Sequence, residues 1–325
     1  MSDIYLQQAK NRKMTLMLFA GFFVFVIVVA FAADTFVYKS LPLDRVPVIL
    51  IIAVLLGVIN AYAAYYHGGS IVLAALGAVP IDIGDPAHRK FHNVAVEMAL
   101  ASGLPLPKLC VIRDPSPNAF ATGRDPQSAV IGVTQGLLEV LNREELQAVV
   151  AHEMGHIKSR DILTMMIATV LLGTVALLSD WAMRTWWFSN RAGISSRKGK
   201  GGIHPLILLG IGVFLLLAPL ISRIIAMAVS RNREYQADTS AAEFTRNPLA
   251  LASALEKISG AGAPLRAGRR ATAHLFIHDP LMRKIDNNEG WFADILATHP
   301  PMGRRLDRLR KMGYVYARQD APGQA

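Results

Sequence analysis

Asn142-Arg143-Glu144-Glu145-Leu146-Gln147-Ala148-Val149-Val150-Ala151-His152-Glu153-Met154-Gly155-His156-Ile157-Lys158-Ser159-Arg160 is the stretch whose reading decides the fold. Asparagine with glutamate three positions later is a capping-box start, and it predicts a helix over Arg143 to Arg160. Residues four apart lie one turn up on the same helical face, so the imidazoles of His152 and His156 converge at metal-ligand spacing. Glu153 stands about 100° round the helix from His152. That is near a bound ion but off the ligand line, where a general base belongs. The chain supplies its own controls. His88/His92 and His274/His278 share the spacing, but Arg89 and Leu275 follow the first histidine of each pair, and neither is a base. Leu146, Val149, Val150 and Ile157 bury much of the 143–160 helix, and two imidazoles and a carboxylate placed there without a partner would be costly.

A catalytic metal needs a third protein ligand and an open position for water. Cys110 is the only cysteine, so a thiolate site is excluded and the ligands must be histidine and carboxylate. A continuation of the motif along the same segment would put glycine and histidine at positions 159 and 162, which are Ser159 and Ile162. The other common solution is a glutamate on a second helix. Arg231-Asn232-Arg233-Glu234-Tyr235-Gln236-Ala237-Asp238 fits it, with Glu234 and Asp238 four apart on one face. Glu234 is expected to bind the metal. Asp238 is expected to accept a hydrogen bond from the far nitrogen of a ligand histidine and so fix its tautomer.

Outward from these two segments the chain turns apolar. Hydrophobic residues make up 52% of it, only 18% is charged, and mean hydropathy is +0.33, too apolar for an ordinary soluble domain. Met14 to Ala33 is a charge-free run that reaches about 30 Å as a helix, the thickness of a bilayer's hydrocarbon core. Val46 to Tyr66 is a second, interrupted by Asn60 and ending in Tyr62, Tyr65 and Tyr66, residues suited to the headgroup level. The first run is expected to be a retained anchor rather than a cleaved signal. Lys10, Arg12 and Lys13 precede it, which places the N-terminus and everything after Tyr66 in the cytoplasm by the positive-inside rule. The net charge of +10 is thus largely topological. Ile162 to Leu178 and Pro205 to Ser222 are two shorter apolar runs around a basic, glycine-rich loop; they form either a hairpin of two further spans against the charge rule, the reading favoured here, or a partly embedded hairpin with Trp186 and Trp187 at the interface.

The organisation that follows is a membrane anchor at 1–67, a first half of the catalytic domain at 68–161, the hairpin at 162–230 and a second half at 231–325. Asp85-Pro86 caps a helix that Gly103 stops. Lys108 to Arg113, Asn118 to Gly123 and Ala129 to Thr134 read as short strands. Asn247-Pro248 opens another helix, which Gly260 ends.

Taken together, HEMGH at 152–156, SRNREYQAD at 230–238, NAFATG at 118–123 and THPP at 298–301 resemble the HtpX family of membrane zinc metalloproteases, relatives of the CAAX prenyl proteases. The resemblance covers nearly the whole chain. It implies an α+β fold: a mainly helical, gluzincin-type metalloprotease domain with a small β-sheet, fused to transmembrane helices. It also implies one zinc ion per chain, a cytoplasm-facing site in a bacterial inner membrane, and cleavage of misfolded or damaged membrane proteins under stress. Carried onto these residues, His152, His156 and Glu234 match the zinc ligands and Glu153 the catalytic base. His299 and Arg305 match the C-terminal site segment and are expected to steady the developing negative charge. Asn118, Ala119, Phe120, Ala121, Thr122 and Gly123 are expected to form an edge strand on which an extended peptide lies.

Other functional classes fit less well. An ATP-dependent membrane protease would need GxxxxGK[ST], which is absent, so no ATP is expected. An intramembrane protease would place HExxH inside a span, whereas Glu144, Glu145, Lys158, Arg160 and Asp161 flank it here, so it is expected in water near the surface. Lysine and arginine are spread over membrane flanks and helix faces with no nucleic-acid motif, so no nucleic-acid partner is expected. The expected partners are polypeptides and the lipid bilayer. A zinc-stabilised membrane adaptor without activity is the alternative, and an intact Glu153 argues against it.

Overall fold

The computed structural model describes residues 2–38, 46–191, 231–261, 264–265, 272–280 and 300–319. The two leading apolar runs form α1 (Ser2–Tyr38) and α2 (Val48–Leu76), both long and apolar enough to cross a bilayer. Leu16, Val24 and Val28 on α1 and Ile52, Leu55, Leu56 and Ile59 on α2 are exposed, which suits lipid contact. Within the pair, a backbone N–H of α2 at Leu50 donates to Asp34 Oδ2 at 3.0 Å.

Four strands make one sheet: β1 (Val79–Pro80), β2 (Lys108–Ile112), β3 (Ala119–Thr122) and β4 (Val130–Thr134), in the order β1-β2-β4-β3. β2 and β4 are parallel, with Cys110 opposite Gly132, and the outer pairs are antiparallel. Gly132 is required there. A Cβ would lie 2.1 Å from the Phe120 ring, which crosses the sheet at this point.

All three longer strands are buried on both faces, and the faces meet different partners. Leu109, Val111, Ile131, Val133, Ala119 and Ala121 share one core with α3 (Pro86–Ser102), α5 (Arg143–Ser159) and, further on, α8 (Pro248–Gly260). Cys110, Ile112, Phe120 and Val130 share another with Leu18 and Phe22 of α1, Val72 and Leu76 of α2, and Met165 and Met166 of α6 (Asp161–Arg191). The sheet is therefore a floor between α3, α5 and α8 on one side and α1, α2 and α6 on the other.

The caps fall where the sequence places them. The Asp85 side chain accepts from Ala87 N, Gly103 closes α3 at φ 70°, and Asn142 and Glu145 form the reciprocal capping box of α5. α5 stops at Arg160, which takes a left-handed φ of 57°, and α6 leaves at 88° to it. Among the described residues the remaining helices are α4 (Gln135–Val140), α7 (Arg231–Thr245) and α9 (Met302–Gln319), with a 3-10 turn at Ala273–Leu275. The second arm of the expected hairpin, 205–222, its basic loop and the tail after Gln319 lie outside the described residues.

Candidate metal centre

α5 and α7 carry the histidines and the glutamate, and Gly155 lets them touch. A Cβ on Gly155 would come within 3.1 Å of Ala237 Cα and 3.3 Å of Ala237 O, so any side chain there would push the helices apart. Across this close contact the Nε2 atoms of His152 and His156 stand 3.2 Å apart. Glu234 Oε2 lies 3.7 Å from the first and Oε1 3.8 Å from the second. His152, His156 and Glu234 are all buried, and among the described residues theirs is the one cluster whose ligand atoms could share a metal ion.

The other ring nitrogens explain why these atoms face one another. His156 Nδ1–H donates to Asp161 Oδ2 at 2.9 Å, and His152 Nδ1 lies 3.0 Å from Asp238 Oδ1. In the tautomer with the proton on Nδ1, each Nε2 presents a lone pair, and two lone pairs and a carboxylate meet at one point. That arrangement is repulsive unless a cation lies within it. A tetrahedral ion bonded at about 2.0–2.1 Å holds its ligands about 3.3–3.5 Å apart, close to the spacings found. Glu153 Oε1 is buried without a hydrogen-bond partner among the described residues. Burial pushes the Glu153 carboxyl up to about 8, against the opposing pull of His156, and a divalent cation beside it would favour the anion again. The residues present fit a divalent metal ion.

Asp238 therefore sits where the sequence places it, and Asp161 is the partner the sequence reading missed. Its signal was visible but ambiguous: an acid five residues past His156 reads as one more flanking charge until the 88° elbow turns it back. Asp161→Asn is expected to weaken metal binding about 10–100-fold, measured by competition with a chromophoric chelator, with the helical circular-dichroism spectrum unchanged.

Several expectations need correction. Arg305, expected to steady the developing negative charge, is 1% exposed and already engaged. Its Nε and Nη2 grip Asp238 at 2.9 and 2.7 Å, Nη1 donates to Ile277 O at 2.9 Å, and Nη1 is 3.4 Å from Glu234 Oε2. The guanidinium is committed to holding Asp238 against His152, which leaves it little to offer an oxyanion. Burial works against the Asp238 carboxylate, but Arg305 and His152 outweigh it and hold its pKa below the usual carboxylate range.

The expected substrate strand is also altered. β3 is the last strand of the four, yet Phe120 bridges to Phe276, Ile277 N donates to Ala119 O at 3.0 Å, and Asn118 Nδ2 donates to His278 O at 3.0 Å. The outer edge from Asn118 to Phe120 is thus paired within the chain, and an extended peptide cannot add to it without displacing 276–278. Thr122 and Gly123 complete the segment towards Ala129. Nor is the motif open to water: His152 is fully buried and Glu153 1% exposed. His299 lies outside the described residues. Of the control histidines, His274 places Nε2 3.0 Å from Thr169 Oγ1 and His88 Nδ1 accepts from Asp82 N.

With this geometry in place, comparison with known proteins is decisive. The profile described as Peptidase family M48 matches residues 87–313. The chain belongs to peptidase family M48. Its relatives include a "Protease HtpX homolog" of Caldanaerobacter subterraneus subsp. tengcongensis, 43% identical over 268 residues, covering 81% of this chain and 84% of that protein. Another "Protease HtpX homolog", from Limosilactobacillus reuteri, is 37% identical over 309 residues, 95% of this chain and 100% of the relative. The crystal structure of S. mikatae Ste24p covers 95% of this chain and 67% of its own at 20% identity and a TM-score of 0.49. This M48 chain is accordingly a metalloprotease with two apolar helices that associate it with a membrane, and its substrates are polypeptides.

Proposed function

We propose that this M48 protein is a zinc endopeptidase of a bacterial inner membrane, with its site facing the cytoplasm, that hydrolyses misfolded or damaged membrane proteins under stress. The observation that carries the chemistry is the convergence of His152 Nε2, His156 Nε2 and the Glu234 carboxylate, with each imidazole's other nitrogen turned to a carboxylate. Zinc suits a set of two imidazoles and one carboxylate.

Bound there, zinc would supply a Lewis acid that brings the pKa of water towards neutrality and polarises the scissile carbonyl. The protein's own groups do the rest. Asp161 and Asp238 hold the imidazoles in the ligand tautomer, and Arg305 holds Asp238. Glu153 takes the proton of the attacking water and passes it to the leaving amine. With Arg305 committed elsewhere, His299 is the remaining candidate for donating to the developing oxyanion. The cytoplasmic orientation is supported by Lys10, Arg12 and Lys13 ahead of the first apolar run.

The burial of the site supports a preference for flexible chains, since only a segment free of its own fold can thread to buried ligands. One membrane protein supplied in folded and detergent-unfolded form tests this. The unfolded form is expected to be cleaved at least several-fold faster by zinc-loaded enzyme, and a chelator should stop cleavage until zinc is restored. Equal rates on both forms would remove the quality-control reading, and chelator-resistant cleavage would remove zinc.

A further inference from the structure

The C-terminal end of α5 shows how the metal-bearing helix is held. An α-helix leaves its last four carbonyls without helical partners, and each must be satisfied by something else. Here His156 O accepts from Ser159 Oγ at 3.1 Å and Ile157 O from Arg160 N at 3.2 Å. The other two are taken from far away in sequence. Lys158 O accepts from Gln8 Nε2 at 2.9 Å and Ser159 O from Asn11 Nδ2 at 3.0 Å, both on the first turns of α1.

The place of these two carbonyls gives the contact its meaning. Lys158 and Ser159 lie between His156 and Asp161, whose 2.9 Å hydrogen bond spans the elbow. Arg160, at the turn itself, has a φ of 57°, a conformation that a residue with a Cβ keeps only when its surroundings fix it. Just past the elbow, Thr15 Oγ1 and Thr164 Oγ1 are 2.8 Å apart, and Thr164 Oγ1 reaches Asn11 O at 3.3 Å. The same end of α1 touches the other half of the site as well: Gln236 Nε2, two residues beyond Glu234, donates to Gln7 Oε1 at 3.1 Å. Asn11 is 4% exposed, so its amide is enclosed at this junction.

We propose that Gln8 and Asn11, at the foot of the first membrane helix, are positioning residues for the metal site: their amides fix the α5–α6 elbow and with it the His156–Asp161 pair. The proposal rests on reading His152, His156 and Glu234 as the metal ligands. It makes the seating of α1 in the bilayer part of the metal site, although no residue of α1 is a ligand.

The test uses the full chain in lipid nanodiscs, with Gln8→Ala, Asn11→Ala, the near-isosteric Asn11→Asp, and Thr35→Ala as a control. Thr35 bonds only Phe31 O near the far end of the same helix. Zinc affinity is measured by chelator competition, and kcat and KM at saturating zinc. Asn11→Ala and Asn11→Asp are expected to bind zinc about ten-fold more weakly, the lower end of what removing an outer partner of a ligand does, and to lose kcat more than they raise KM. Gln8→Ala should shift both in the same direction by less, and Thr35→Ala should match wild type. Asn11→Asp preserves size and removes the donor, so wild-type zinc affinity in that variant overturns the proposal. So does a fall in melting temperature with zinc affinity unchanged, which would make the contact structural only. If Glu234→Ala also keeps full zinc affinity, the ligand assignment beneath the proposal has failed instead.

Discussion

Replacing Glu153 by Gln is expected to lower peptide-bond hydrolysis by about two to four orders of magnitude, the usual contribution of a positioned acid–base group, while zinc content stays at the wild-type level. The two effects separate because of where the residue stands. Glu153 follows a ligand residue but is not one of the cluster whose atoms converge, so an amide leaves the ligand set untouched. It also fills almost the same space in a site where the side chain is 1% exposed, so packing changes little. What the amide cannot do is accept a proton from water. Casein cleavage by detergent-purified wild type and Glu153→Gln, beside zinc analysis of both, decides the matter. Cleavage retained in the variant would sink the proposed base, and a wild type that holds zinc but never cleaves would favour a metal-stabilised adaptor.

Glu234→Ala is the second large effect. It should remove zinc from the purified protein and abolish activity, a loss beyond the roughly 10–100-fold that outer partners of ligands account for. The carboxylate is the proposed ligand from the second half of the chain, and it lies 3.7 and 3.8 Å from the two imidazole nitrogens. Without it, two histidines on one helix offer only two ligands, too few to hold the ion against a chelator. The variant also leaves Arg305 near a vacated space, 3.4 Å from where the Glu234 oxygen stood, so Glu234→Gln, which keeps the volume, is the companion measurement. Unchanged zinc stoichiometry and activity in both would remove Glu234 from the ligand set.

Much of this site is legible from spacing alone, and the parts that are not have physical reasons. His152, Glu153 and His156 announce themselves because a helix converts an interval of four into one face. Glu234 and Asp238 follow from the same rule applied to a second helix. Asp161 does not, because its approach to His156 depends on an 88° turn at a non-glycine residue with positive φ, which no propensity scale foretells. Arg305 is expected near the reacting groups only through the resemblance, and only the packing of α9 against α7 shows it gripping Asp238. The strand at 118–123 is correctly an element and correctly last among the four, but its occupancy depends on residues 276–278, which carry no strand signature of their own. β1, with two residues, and α4, with six, are too short for any periodicity to register.

The β-sheet's two faces have a consequence for handling the molecule. Its underside, at Cys110, Ile112, Phe120 and Val130, packs on α1, α2 and α6, with Leu275 and Phe276 beside them. A fragment trimmed of its leading helices to make it easier to express would therefore strip Leu18, Phe22, Val72 and Leu76 from this face of the β-layer and leave part of it bare to solvent. The two leading apolar helices are here a part of the enzyme's interior rather than a detachable anchor.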